Sequence, residues 1–220
     1  MAVTSPDTNP PMPAIGIRPP LQRRSRESWE RVLDSGVRLL EMGGYEAFTI
    51  AAVCKEAQVA PRALYARVES KEALFLAVYE HGMSHVMLDV EVFADDARWQ
   101  GLAPEDIAAH AVLEVAGIFE RHADFLRAVV LISGVHPEVY RRGAFYSQDL
   151  GHRFAARLLS VGAGSGQTDP EAAVLTAFDS IFATLVLRTA YGPGFSTIAA
   201  VDETSLVMLT TMVQRFLFGR

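Results

Sequence analysis

A single cysteine, Cys54, stands in a chain of 220 residues. It excludes an intrachain disulfide framework and any multi-cysteine zinc site, and it agrees with a reducing compartment. Long apolar runs are scarce as well: Arg127, Arg188 and Arg215 interrupt the most apolar stretches, so no run of the roughly 18 residues of a membrane span is expected. The N-terminus, MAVTSPDTNPPMPAIGIRPP, lacks the basic start and continuous apolar core of a secretory signal and is broken by six prolines. A cytoplasmic chain without a membrane partner is therefore expected. Alternating strand patterns of useful length are missing, as are repeats of roughly 20 to 50 residues. What is present is ample apolar material, 50% of residues with a mean hydropathy of +0.17. At roughly 150 residues per domain this is enough to build the core of one domain or two modest ones.

The net charge of -6 is unevenly distributed. Residues 1–71 hold 10 Lys and Arg against 8 Asp and Glu, a balance of +2, which leaves residues 72–220 at -8. Arg18, Arg23, Arg24 and Arg26 form one basic cluster, and Arg62, Arg67 and Lys71 another. Basic charge is local where the whole chain is acidic, which implies two regions with different partners.

Residues 1–22, rich in Pro, Ser and Thr, read as a disordered leader with a basic arm. Periodicity begins near Arg26: Trp29, Val32, Leu33, Gly36, Val37, Leu39 and Leu40 mark one helical face, and Gly43-Gly44 ends it. Thr49 suits the N-cap of a short second helix, IAAVCKEA, and Pro61 the first turn of a third running to about Arg67. Ser70 is placed to cap a longer fourth helix extending to about Phe93. Further helices are expected to begin near Pro104, Ala123, Pro137, Pro170 and Asp202, with Gly162–Gly166 as an interhelical turn rather than a phosphate loop. The fold class is all-α. A three-helix head over residues 23–72 precedes a helical body over 73–220.

Two short helices joined by a tight turn, behind a buried helix and ahead of a capped long one, make a helix-turn-helix DNA reader. The third helix would present Pro61, Arg62, Ala63 and Arg67 to the major groove, with Tyr65 to one side and Leu64 and Val68 turned to the core. Arg62, with its forked guanidinium, is the first choice for bonding a guanine edge. The marks Gly44-Tyr45, Thr49-Ile50, Ala57-x-Val59, Leu64-Tyr65 and Ser70-Lys71-Glu72-x-Leu74 fall in one register. In these the segment from Arg31 to Glu80 resembles the N-terminal domain of the tetracycline-repressor (TetR) family of bacterial transcriptional regulators. Three residues depart from that pattern: Gln58 for a usual glycine, Ala60 for a usual serine cap, and Val68 for a usual aromatic.

The resemblance implies that Tyr65 and Lys71 bind phosphate; Thr49 and Arg24 of the basic arm complete the candidate DNA-binding set. It implies a homodimer built through the last two long helices, where Phe178, Ile181, Phe182, Leu185, Leu209, Met212, Val213 and Phe216 recur at helical spacing and otherwise read as core. It further implies an effector pocket, for which Trp99, Phe119, Phe125, Phe145 and Tyr146 are candidate lining and Arg127, His110 or Arg141 candidate anchors. The expected function is sequence-specific transcriptional regulation of a palindromic double-stranded operator, released by a small apolar or amphipathic effector. No enzyme activity and no cofactor are called for, and the protein would be nucleoid-associated when bound to DNA. Two alternatives stand beside this reading. His81, His85 and Asp89, at i, i+4 and i+8, could serve a helical metal-dependent enzyme, and the body could instead bind a protein partner.

Overall fold

The computed structural model describes Ile15, Ile17, residues 23–195 and residues 203–219. The leader with Arg18, apart from Ile15 and Ile17, and the helix start expected near Asp202 lie outside the described residues. Ten α-helices account for nearly all the secondary structure among them.

Helix α1 (Arg23–Ala47) buries Val32, Ser35, Gly36 and Leu40 along one stripe. It bends where Gly43 and Gly44 leave helical geometry; Gly44, at φ 62° and ψ -160°, holds a conformation that a Cβ would oppose. The chain then re-forms a turn to Ala47 instead of stopping at the glycines. Helix α2 (Ile50–Ala57) starts on Thr49, whose hydroxyl accepts from the Ala52 N–H at 3.1 Å. It ends at Gln58, which sits in the left-handed region at φ 54° and ψ 45° and donates its N–H to the last carbonyls of α2. Helix α3 (Pro61–Tyr65) has proline in its first turn and no side-chain cap from Ala60. It is shorter than the expected run to Arg67, because the N–H groups of Arg67 and Val68 both close on the Leu64 carbonyl while Val68 turns into the core. Ile17 bridges Val68 in antiparallel fashion, which corrects the expectation of an unstructured leader at that point.

Helix α4 (Lys71–Val90) is capped by the Ser70 hydroxyl, which accepts from the Ala73 N–H at 3.0 Å. It passes into a 3-10 turn and a short α5 (Asp96–Trp99) that the sequence did not suggest. The body continues with α6 (Pro104–Arg121), α7 (Ala123–Ser133), α8 (Pro137–Leu159), α9 (Pro170–Tyr191) and α10 (Glu203–Phe218). Helix α9 is long and apolar enough to cross a membrane by length and composition, contrary to the reading that no such run exists. Here it packs against α6, α7, α8 and α10, as the central helix of a protein interior does.

The head is seated directly on the body. Helix α1 packs on α7 as well as on α2 and α4. Two glycines permit this close assembly: a Cβ on Gly36 would stand 2.4 Å from Val78 Cγ2, and one on Gly82 would stand 2.2 Å from Phe125 Cζ. Both Val78 and Gly82 belong to α4, so this helix is gripped between α1 and α7.

Candidate nucleic-acid interface and ligand cavity

On the head, α3 turns only Leu64 inward, while Pro61, Arg62, Ala63 and Tyr65 are exposed. The interior of the head is closed by Leu40, Phe48, Val53, Leu64, Leu74 and Phe75, so α3 is held by its one buried leucine and by the turn through Gln58. Arg62, Arg24 and Arg26 are exposed and make no ion pair among the described residues, whereas Arg23 is held by Glu27 and Arg38 by Glu56. Arg67 does not project like Arg62: its guanidinium bonds the Ser25 hydroxyl and ties the end of the α3 turn to α1. The Lys71 ammonium lies 4.1 Å from the centre of the Tyr45 ring, a cation–π contact that fixes a positive charge at the start of α4. Thr49 is exposed with its hydroxyl engaged as a cap.

In the body, a cavity of about 340 Å³ opens between α4, α6, α7, α8 and α9. Met83, Val86, Phe119, Val129, Leu150 and Phe182 supply much of its apolar wall. Next to it lies a buried polar cluster. Arg142 of α8 is 4% exposed; its guanidinium donates to Glu80 of α4 at 2.5 Å and to Glu138 of α8 at 2.7 Å. Burial works against the Arg142 charge, but the bonds to Glu80 and Glu138 outweigh it and raise its pKa above the ordinary value. The other Glu80 oxygen accepts from the Tyr146 hydroxyl. Burial, reinforced by Glu80, pushes the Tyr79 and Tyr146 phenols well above their usual range, so both stay protonated.

The lining expected from the sequence needs correction. Phe119 and Tyr146 do border the cavity, but Trp99, His110, Phe125, Arg127 and Phe145 do not. Trp99 stacks on Phe93 and donates its indole N–H to the Val92 carbonyl, sealing the turn after α4. Phe125 is spent against Gly82. His110 and Arg127 face solvent, His110 bonding the Asp106 carbonyl of its own helix, and Arg141 pairs with Glu138 outside the cavity. Phe145 packs edge-on against Tyr146 from behind. The sequence reading missed Tyr79, Glu80 and Arg142. A signal was there: Glu138, Arg142 and Tyr146 are four residues apart and must share one face of α8.

The dimer set also divides. Phe178, Ile181, Leu185 and Val213 are buried within the one chain, Phe182 belongs to the cavity wall, and Leu209 is half-buried. Met212 and Phe216 are exposed, together with Leu187, Tyr191, Val207 and Met208. Of the two readings the spacing allowed, core and interface, the packing of α9 gives core to Phe178, Ile181 and Leu185. The His81, His85 and Asp89 stripe does not converge on a metal. His81 Nε2 bonds Asp34 at 2.7 Å, while Asp89 accepts from Arg121 at 2.7 Å and pairs with His122 at 3.0 Å. No group of three or more potential ligands gathers among the described residues.

A short capped α2, a left-handed turn and an exposed α3, mounted on a helical body with an internal cavity, define a helix-turn-helix protein with an all-α second region. Residues 32–78 match the family model described as bacterial regulatory proteins of the tetR family. The likeness to that family is carried by this N-terminal segment. A relative in Bacillus subtilis (strain 168), the uncharacterized HTH-type transcriptional regulator YerO, is 27% identical over 112 residues, 51% of this chain and 38% of the relative. The match therefore spans well under half of that protein's length. Among solved structures, Salmonella enterica GusR aligns with a TM-score of 0.66 at 16% identity, covering 90% of this chain and 98% of GusR. The regulator FadR from Bacillus subtilis, solved in complex with stearoyl-CoA, aligns with a TM-score of 0.60 at 15% identity over 87% of this chain and 99% of its own. At such identities the likeness is one of fold.

Proposed function

We propose that the chain is a homodimeric transcriptional regulator that reads double-stranded DNA with α3 and is controlled by a small molecule in the body cavity. The observation that carries this reading is the course of α4. Its first turn, Ser70 and Lys71, belongs to the head, and further along its Tyr79, Met83, Val86 and Val90 border the cavity. One rigid helix thus links the segment beside α3 to the space a ligand would fill. A ligand with greater affinity for one position of α4 shifts the population of the DNA-competent form in proportion to that difference.

In this division of labour residues 23–72 read DNA and residues 73–220 bind ligand and dimerise. Arg62 takes a base edge, Pro61 and Ala63 pack near the groove, and Tyr65, Thr49, Lys71 and Arg24 meet the sugar-phosphate backbone. Arg67 acts through Ser25 to hold the end of α3. The second copy packs on the outward faces of α9 and α10. There Thr176, Ser180 and Ala183 keep the α9 surface low, and Leu187, Met212 and Phe216 supply apolar contact. The alternative of a body that binds only a protein partner called for an interior without a cavity, and the 340 Å³ space favours a ligand instead. Genomic footprinting with the purified protein tests the function. Protected sites with two symmetric half-sites about one helical turn apart, or a multiple of it, are expected; protection without sequence preference would refute it.

A further inference from the structure

The cavity carries information about the chemistry of its ligand, on the reading above that a ligand binds there. Its wall contains no charged side chain; its polar groups are Tyr79, Tyr140, Tyr146, Ser133 and Ser147. Both serines are spent on their own helices, Ser133 donating to the Val130 carbonyl at 2.7 Å and Ser147 to that of Ala144 at 3.3 Å. Tyr140 is largely in solvent. Two phenols remain, with ring centres 6.4 Å apart. Tyr146 commits its proton to Glu80, so its oxygen has only acceptor capacity left. Tyr79 is 1% exposed, and its hydroxyl has no hydrogen-bond partner among the described residues. The hydroxyl is not among the fully enclosed unsatisfied atoms, which among the described residues are Arg188 Nε and Nη2, so it is reached from the cavity and free to bond what enters.

An anion is poorly served at this end. The nearby guanidinium of Arg142 is already shared between Glu80 and Glu138, and Arg141 also pairs with Glu138, so neither cation of this cluster lies in the cavity wall to meet an anion. A hydroxyl fits instead: it accepts from Tyr79 and donates to the Tyr146 oxygen, using both free functions at once. We propose that the cavity selects an uncharged lipophilic molecule bearing a hydroxyl group, recognised by Tyr79 and Tyr146 while its apolar part lies against Met83, Phe119 and Phe182. The hydroxyl then bridges α4 to α8 beside the Glu80–Arg142 contact, the same seam that must yield if α4 is to move.

Three probes of one shape test this at pH 7 by isothermal titration calorimetry on the full chain: 2-naphthol, 2-methylnaphthalene and 2-naphthoate. 2-Naphthol is expected to bind about tenfold more tightly than 2-methylnaphthalene, or ~1.4 kcal/mol, with 2-naphthoate weakest. Tyr79→Phe removes a hydroxyl that holds no other part of the protein, so the fold is preserved. It should cut the preference for 2-naphthol about three- to tenfold and leave 2-methylnaphthalene binding unchanged. Tyr146→Phe should reduce the same preference. No saturable binding of 2-naphthol at millimolar concentration, tighter binding of 2-naphthoate, or an unchanged preference in Tyr79→Phe would each overturn the proposal. Footprinting of the same preparation reports DNA binding separately, so failure of this ligand assignment and failure of the DNA-reading function are distinguishable.

Discussion

Replacing Gly82 with alanine would test how firmly α4 is gripped by the body. The added Cβ would stand 2.2, 2.4 and 2.8 Å from three carbons of the Phe125 ring, where carbon atoms ordinarily rest about 3.5 to 4.0 Å apart. Phe125 is itself 2% exposed, so its ring has no open space to retreat into and α4 and α7 must separate. Overpacking of this severity costs about 3 kcal/mol, offset by ~1 kcal/mol because alanine favours helix over glycine. The net loss of about 2 kcal/mol corresponds to roughly 4 to 8 °C in the melting temperature of a chain this size. Circular dichroism melts of Gly82→Ala, and of Gly82→Ala with Phe125→Leu, measure it; the smaller side chain should recover part of the loss, a coupling between neighbours. Gly134→Ala is the control, since a Cβ there meets nothing within 4 Å in a helical backbone. A Gly82→Ala protein melting at or above the wild-type temperature would refute the close α4–α7 contact.

Gln58→Gly should raise stability by up to about 1 kcal/mol by relieving the left-handed backbone, read as a higher urea midpoint; an unchanged or lower midpoint would contradict the strain. At Asp89 the hydrogen bond from Arg121 holds the carboxyl below its ordinary range, so its stabilising contribution is full above the unfolded-state pKa and disappears as pH falls through the folded one. Asp89→Asn should thus be less stable than wild type at pH 7, with the gap closing below about pH 4; a gap independent of pH would count against the pairing. Met212→Arg with Phe216→Arg, both on exposed positions of α10, should convert a sedimenting dimer to a monomer without loss of helicity. A wild-type monomer at micromolar concentration would remove the interface.

The head was legible in the sequence because its signals are local. Thr49 and Ser70 cap the helices they precede, Gly44 bends the chain where only glycine goes easily, and Gln58 takes the left-handed turn its position required. The body was legible only as helices. Whether Phe182 or Phe125 faces a cavity, a neighbouring helix or a second copy depends on crossing geometry, and that is set by contacts distant in sequence such as Gly82 with Phe125. The bias in the pocket reading was to look for large aromatics and free cations. The wall is instead mostly aliphatic and methionine, and the nearby Arg142 is paired with Glu80 and Glu138. Periodicity likewise identifies an apolar face without saying what covers it: on α9, Phe178, Ile181 and Leu185 turn into the chain itself, while Thr176, Ser180, Ala183 and Leu187 stay exposed.

The central claim, that α3 reads sequence through Arg62, is tested most directly by selecting duplexes from a randomised pool with the wild-type protein, Arg62→Ala and Lys71→Ala, then sequencing what is retained. The wild type should enrich an inverted repeat. Arg62→Ala should lose preference at one symmetric base pair in each half-site, worth about 1 to 3 kcal/mol of discrimination, while Lys71→Ala keeps the same motif and binds every duplex more weakly. Identical motifs from wild type and Arg62→Ala, with the two variants weakened alike on all sequences, would contradict base readout by this residue.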